Sequence, residues 1–427
     1  MLNLKKFISS IVFVILLVLT IGKCADVLEY KEARKKYTPF FESETNFDVV
    51  FLGTSCMWNH VLPMEMWDEY GIASYNWGYS NCTPAENYYL IQDILKYTSP
   101  KVVVIDIYGI IEYDEYNNGK YQTDRIEQQH VQFDELPLSR SKIVASQDVF
   151  DDYDDNEDFI WNFIMYHNRW SELGQADFDY EITTEKGSDF LNGLGMVYFT
   201  PISSDQKIEL NSVCFPYFLK TLEYCEQQNI QVLCTCSPNA VGETQQRVAN
   251  TIGDIIETYP NCQFVNMLDK SIVDFNTDFY SDNFHLNYSG ALKTTLWLGE
   301  YLSENFDLTD YRDNESWNTD YLLYYDYKVS TLKSQTLLVN YLVQLVDTDF
   351  SVSAEIYNSN LMNSDRLMLL FDNADISPVL LSIESEYCAK LVITSQITGE
   401  IIEEVNFTCE NTENLDIFKI NKVEEIR

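Results

Sequence analysis

Basic side chains are scarce in this chain of 427 residues: 28 Lys and Arg stand against 67 Asp and Glu, a formal net charge of −39. Nucleic-acid binding needs a cationic surface, so this balance argues against it. Direct adhesion to an anionic membrane surface is disfavoured for the same reason. Histidine is scarcer still, with only His60, His130, His167 and His285, so any imidazole base is one of these four. Ten cysteines are present, but no CxxC pair and no Cys/His cluster has zinc-site spacing; no metal is expected. No internal repeat is visible. With 46 % hydrophobic residues the chain has ample material for a packed core.

Lys5 and Lys6 precede Phe7 to Gly22, a run without charge. Such a run is a membrane anchor or a signal-peptide core. Gly22-Lys23-Cys24-Ala25 supplies small residues for cleavage poorly, which favours an uncleaved anchor over residues 1–27. Lys23 directly before Cys24 argues against lipid attachment at that thiol.

Residues 47–306 alternate between strand-like and helix-like runs. Strands are expected at 47–53, 73–78, 102–109, 230–236 and 263–268, with VVVIDIYG (102–109) nearly continuously apolar, as a parallel sheet demands. Helices are expected at 62–70, 85–97, 218–228, 242–259 and 289–306, the last with Ser289 as its N-cap. The pattern predicts an α/β domain over 45–310: a parallel sheet of about five strands with helices on both faces. Residues 110–210, rich in Tyr and acids, read as an insertion over the carboxyl edge of the sheet, where α/β sites lie. Its acidic run DDYDDNED (151–158) lacks the ordered spacing of a calcium loop and reads as solvated. Residues 311–427 read as a small β-rich C-terminal domain. There a hairpin turning at Thr398-Gly399 sets Cys388 opposite Cys409, as a cross-strand disulfide or as two free thiols.

Ser55 follows the first strand in FLGTSCMWNH, with Gly53 permitting a sharp turn. His285 follows the last strand in YSDNFHLNYSGA, with Asp282 three residues earlier. A tight loop folds Asp282 back onto the ring Nδ1–H and leaves Nε2 to take a proton, so the three residue types needed for nucleophilic catalysis converge on strand-end loops. His60, five residues after Ser55, and His167 in YHNRW are secondary candidates for contacting substrate. Cys56 is an alternative nucleophile, but its side chain is expected to point away from His285.

The block GTS at 53–55, Gly78 after the second strand and DNFH at 282–285 resemble the SGNH (GDSL-like) hydrolase superfamily. SYNWGYSNCTPAENYYLIQDILKY, PKVVVIDIYG, MYHNRW and TDFYSDNFHLNYSGA resemble its membrane-anchored bacterial subgroup of D-alanyl-lipoteichoic acid transfer and alginate-type acetyltransferase proteins. The resemblance covers about 45–306. It implies a flavodoxin-like three-layer α/β/α fold, Ser55 as nucleophile, and an oxyanion hole from the Ser55 and Gly78 N–H groups plus an Asn side chain. It also implies an extracytoplasmic catalytic domain on a single N-terminal anchor. The family's Asn after the third strand is absent, Asp106 standing in that segment, so Asn81 or Asn239 is left to supply the amide. The implied activity is that of a serine esterase or O-acyltransferase on acyl esters of a cell-surface glycan or acylated polymer. It requires no cofactor and, for transfer, has a multi-pass membrane O-acyltransferase as partner. The competing reading is a non-catalytic surface module that binds polymer on the same scaffold.

Overall fold

The structure is a computed structural model and describes residues 2–112, 120–121, 126–150, 156–179, 183–383, 385–409 and 416–423. Helix α1 (Leu2–Leu28) carries the N-terminal apolar run and α2 (Lys31–Phe41) follows it. The α/β unit then runs β1 (Val49–Leu52), α3 (Ser55–His60), α4 (Pro63–Tyr70), β2 (Ser74–Asn76), α5 (Pro84–Ile94) and β3 (Val102–Asp106). After β3 the described residues form short helices α6 (Tyr108–Glu112), α7 (Ile126–Asp134), α8 (Arg140–Asp148) and α9 (Asn162–Tyr166). The unit resumes with α10 (Phe215–Gln227), β4 (Gln231–Cys236), α11 (Glu243–Ile256), β5 (Cys262–Asn266) and α12 (Tyr288–Asn305).

The five strands form one all-parallel sheet in the order β2-β1-β3-β4-β5. Successive side chains on a strand face opposite sides, and the core divides accordingly. Val50, Leu52, Val103, Ile105, Val232 and Cys234 pack with α5 and α10. Val49, Phe51, Val102, Val104, Leu233 and Val265 pack with α4 and α12. This is the three-layer α/β/α arrangement expected from the alternating pattern.

Two local expectations are corrected. The third strand stops at Asp106, because Asp106 Oδ1 accepts the Tyr108 N–H at 3.0 Å and turns the chain into α6. Helix α12 is capped by Asn287, whose side chain accepts the Gly290 N–H; Ser289 lies inside the helix and donates its hydroxyl to Asp278 at 2.8 Å. Among the described residues 110–210 hold no strand, and a strap over 183–197, turning at Lys186-Gly187, crosses the carboxyl edge of the sheet. Its Lys186 carbonyl accepts the Asn76 N–H, the Asp189 N–H reaches Trp58 O, and the Gly195 N–H reaches Phe279 O. Of the acidic run, 151–155 lie outside the described residues.

The C-terminal region contains α13 (Glu315–Ser334), α14 (Leu338–Gln344), β6 (Phe350–Ile356), α15 (Asp365–Asn373), β7 (Val379–Leu380), β8 (Ala389–Ser395), β9 (Ile401–Cys409) and β10 (Ile420–Lys422). Its sheet has the order β10-β9-β8-β6-β7, antiparallel except between β6 and β7. Cys388 and Cys409 form a disulfide across the β8–β9 hairpin. The sheet is joined to the α/β unit by a continuous apolar core that includes Trp317, Tyr324, Leu342 and Ile393.

Candidate active site

Helix α3 opens directly on Ser55. Thr54 is its N-cap, its hydroxyl accepting the Cys56 N–H at 3.3 Å. The helix sits so close to the strand ends that only glycine fits opposite it. A Cβ on Gly53 would lie 2.9 Å from Met57 Cβ, and one on Gly78 would lie 2.7 Å from both Met57 Cβ and the Trp58 nitrogen. As the first helical residue, Ser55 has no intrahelical acceptor for its N–H, and none is found among the described residues.

The opposite wall is the loop between β5 and α12. Tyr280 N–H donates to His285 O at 2.8 Å and Asn283 N–H to Tyr280 O at 2.9 Å, closing a tight turn. Asn283 sits at its corner with φ 60°, a conformation Asn tolerates better than most residues. Its side-chain oxygen accepts the Met196 N–H at 2.9 Å, tying the turn to the strap. Within the turn Asp282 Oδ1 accepts the Phe284 and His285 N–H groups at 2.9 and 3.0 Å. Asp282 Oδ2 lies 2.6 Å from His285 Nδ1, and His285 Nε2 lies 2.8 Å from Ser55 Oγ. Burial would raise the pKa of Asp282, but these hydrogen bonds together hold it below its ordinary value. The ionised carboxylate assigns the ring proton to Nδ1, so Nε2 accepts from the Ser55 hydroxyl. The structure therefore brings Ser55, His285 and Asp282 into one hydrogen-bonded chain, with the Phe284 ring against His285 and the Tyr108 ring against Phe284.

The other candidates fare differently. The Gly78 N–H is occupied: it donates to Asn76 Oδ1 at 2.9 Å, while the Asn76 amide donates to Met57 O and Val61 O at 2.8 and 2.9 Å. Gly78 thus serves as a contact point for α3, not as a free donor. Asn81 spends its amide on Gln128 of α7. Asn239 is buried with its Nδ2 3.4 Å from Cys56 Sγ, a weak acceptor beside the Ser55 backbone. Of the two amides it is the one in contact with Cys56, the residue after Ser55. Cys56 is fully buried, with the Asn239 amide at its sulfur.

His60 does not face solvent. It is completely buried, its Nδ1 lies 2.8 Å from Ser237 Oγ, and its Nε2 accepts the Leu286 N–H at 3.0 Å. Both ring nitrogens are satisfied by protein groups, which removes it as a substrate contact. Burial, and then the charge of His285, push its pKa well below the usual imidazole range. His167 is exposed and lies in a 3-10 turn (His167–Ser171) packed on α1, its Nδ1 2.6 Å from Ile164 O; no contact with the Ser55–His285–Asp282 chain is found among the described residues.

Two residues absent from the candidate set hold the site together. Asn76 was announced only by its place two residues before Gly78. Asp106 accepts the Ser237 N–H at 2.8 Å as well as that of Tyr108. Burial drives its pKa up to about 6 against the hydrogen bonds it accepts from Tyr108, Ser237 and Thr235. A buried chain therefore runs from Asp106 through Ser237 and His60 to Leu286, the residue after His285. Among the described residues no cluster of three or more His, Cys, Asp and Glu is arranged to hold a metal ion.

No protein-family model matches the chain, and no curated protein matches it. Solved structures that match the chain in part include a Bacteroides fragilis NCTC 9343 protein named as an acylhydrolase, with 12 % identity and a TM-score of 0.32 over 65 % of this chain and 99 % of that one. A GDSL-like lipase from Bacteroides thetaiotaomicron VPI-5482 has 12 % identity and a TM-score of 0.31 over 65 % and 99 % of the two chains. A protein from Streptococcus pneumonia named as a platelet activating factor has 12 % identity and a TM-score of 0.31 over 67 % and 98 %. At this identity and with TM-scores this low these likenesses carry no argument; the reading that follows rests on the geometry of the site.

Proposed function

We propose that the protein is a membrane-anchored, extracytoplasmic serine esterase or O-acyltransferase of the SGNH type, acting on acyl esters of cell-surface glycans. The observation that supports this reading is the chain Ser55 Oγ, His285, Asp282, with contacts of 2.8 and 2.6 Å. In the reaction Ser55 Oγ attacks the ester carbonyl carbon and His285 Nε2 takes the hydroxyl proton. The tetrahedral intermediate collapses, the C–O bond to the leaving alcohol breaks, and Nε2 returns the proton to that oxygen. Water or a sugar hydroxyl then gives its proton to Nε2 and attacks the acyl-Ser55 carbonyl, and Ser55 recovers its proton as the new acid or ester leaves. Asp282 keeps the ring oriented and stabilises the imidazolium. The Ser55 N–H and the dipole of α3 favour the oxyanion, and of the two candidate amides Asn239 is the one that reaches Cys56, the residue next to Ser55. With Gly78 engaged by Asn76, the Ser55 N–H carries the main share of oxyanion stabilisation in both acylation and deacylation.

Among the described residues one helix, Leu4–Leu28, is long and apolar enough to cross a membrane, with a mean hydropathy of 2.5. The Cys388–Cys409 disulfide supports placement of the body in an oxidising compartment. The reading is tested with a fluorophosphonate probe on the full chain. Ser55 is labelled, and Ser55→Ala abolishes labelling; well-folded protein that resists the probe overturns the enzymatic reading. Incubation with a 4-nitrophenyl acyl ester, with and without an oligosaccharide acceptor, then separates hydrolysis from transfer by the mass of the acylated sugar.

A further inference from the structure

Seven tryptophans occur in the chain. Trp67, Trp77 and Trp317 are buried, and Trp58 and Trp297 are half-buried. The two exposed ones, Trp161 at 50 % and Trp170 at 73 %, both lie in the segment that packs on the end of α1. Trp161 precedes α9 and Trp170 sits in the 3-10 turn that follows it. Ile164 of α9 and Phe178 shortly afterwards are likewise exposed, at 45 % and 65 %.

The junction with α1 is a fastened one. The Arg169 guanidinium donates to Leu28 O, the last residue of α1, and to Asp177 at 2.9 Å, and it lies 3.9 Å above the Tyr30 ring. Tyr30 in turn meets Tyr166 of α9 edge-on at 5.7 Å. Lys31 closes the helix end, donating to Asp26 O, Val27 O and Glu29 O at 2.7, 3.1 and 2.9 Å. Among the described residues, 4–20 are exposed throughout, while Leu28 and Glu29 at this junction are buried. At about 1.5 Å per residue, the 25 residues of Leu4–Leu28 exceed the ~30 Å hydrocarbon thickness of a bilayer. The last turn of α1, where α9 packs, therefore falls at the level of the lipid headgroups. Tryptophan is the side chain best suited to that level, with an apolar body and one N–H donor.

Resting on the reading of α1 as a membrane anchor, we propose that Trp161, Ile164, Trp170 and Phe178 form a second contact with the bilayer, an interfacial patch that seats the body against the lipid surface beside its anchor. The interaction is apolar: with a net charge of −39 the chain has no general attraction to anionic headgroups. The patch thus limits the swing of the body about the anchor.

The test uses the full chain in phosphatidylcholine vesicles, plain or brominated near the headgroup end of the acyl chains, with tryptophan emission as readout. Co-flotation with the vesicles checks the anchor separately; a chain that does not float with them overturns the anchor reading itself. In the floating protein, brominated lipid quenches emission, and the quench is the same in 1 M NaCl. In Trp161→Phe/Trp170→Phe, which leaves a ring at each position, the quenched emission falls at least twofold while the circular dichroism is unchanged. A floating wild-type protein without quenching, or an undiminished quench in the double variant, overturns the patch. So does shielding of both tryptophans only when a membrane protein partner is added.

Discussion

His60 shows how a residue can matter to the site without meeting substrate. Its Nε2 is an acceptor, because it receives the Leu286 N–H, so Nδ1 carries the proton and donates to Ser237 Oγ. Only the neutral ring of that tautomer fits, and its depressed pKa agrees. His60 is a positioning residue for the turn that carries His285. His60→Ala is expected to lower the fluorophosphonate labelling rate of Ser55 by on the order of a hundredfold, the cost of a misplaced catalytic group. The pH profile of labelling keeps its shape, because His60 does not titrate in the working range, and added imidazole restores part of the rate. A labelling rate near wild type refutes the positioning role, and loss of the acidic limb identifies His60 as the titrating base instead. The residues of the central chain were legible because chemistry limits them: four histidines, one of them in a DxxH loop after the last strand, and a Ser after the first. What holds them was not legible. Asn76, Asp106 and Ser237 act through contacts between residues far apart in sequence, and the Gly78 N–H looked free until the Asn76 side chain was seen on it. His167 lies in the turn packed on α1, which its motif gave no sign of.

At the scale of elements, the parallel strands were readable from their short apolar runs, while their ends were set by side chains capping the backbone, as at Asp106 and Asn287. The hairpin holding Cys388 and Cys409 was readable from its symmetry about Thr398-Gly399. Helix α13 was not, because its buried face is built of Trp317, Tyr321, Tyr324, Tyr325 and Lys328, aromatic and charged residues that blur the apolar stripe. Lys328 explains how this helix is fixed. Completely buried, it donates to Glu65 of α4, Asp347 and Asp349 at 2.9, 2.6 and 2.6 Å. Tyr288 at the start of α12 donates to Glu65 and Asp347 at 2.9 and 2.5 Å. The C-terminal region is thereby tied to the helix that follows the His285 loop. Lys328→Met leaves three carboxylates facing one another without their cation, so a loss of about 3–5 kcal/mol is expected from denaturant unfolding at pH 7.5. Burial pushes Glu65 up to about 7 even with Lys328 attracting its charge. Without the cation its protonation is easier still, so the variant recovers part of the loss at pH 5.5. A variant within 0.5 kcal/mol of wild type at pH 7.5 contradicts this account.

The whole molecule carries far more acid than base, and its stability is expected to follow pH in an uncommon direction. Burial raises Glu86 and Glu185 from the ordinary 4.5 to about 7, and Asp106 from 3.8 to about 6. Between the ordinary and raised values the folded chain binds more protons than the unfolded one, so stability falls as pH rises, and it levels off above about 7. Asp282 and His60 work the other way: the lowered pKa of Asp282 means the stability it contributes is lost as pH falls through and below 3.8, and His60, held neutral by burial, costs stability as pH falls below 6.5, so the carboxylates must outweigh it. The melting temperature is therefore expected to climb by several degrees from pH 8 to about 5 and to drop again below about 4. Repulsion among surface carboxylates at a net charge of −39 has the same sign, but the two causes respond differently to salt. Surface repulsion is screened within about 4–5 Å at 0.5 M NaCl, whereas the buried groups are not reached by counterions. Calorimetry at high salt should thus retain a rise from pH 8 to 5, and Glu86→Gln, which keeps an acceptor for the Thr83 N–H at 2.6 Å, should flatten it. A high-salt melting temperature that does not change between pH 8 and 5 would assign the acid dependence to the surface alone and remove the buried carboxylates from the explanation.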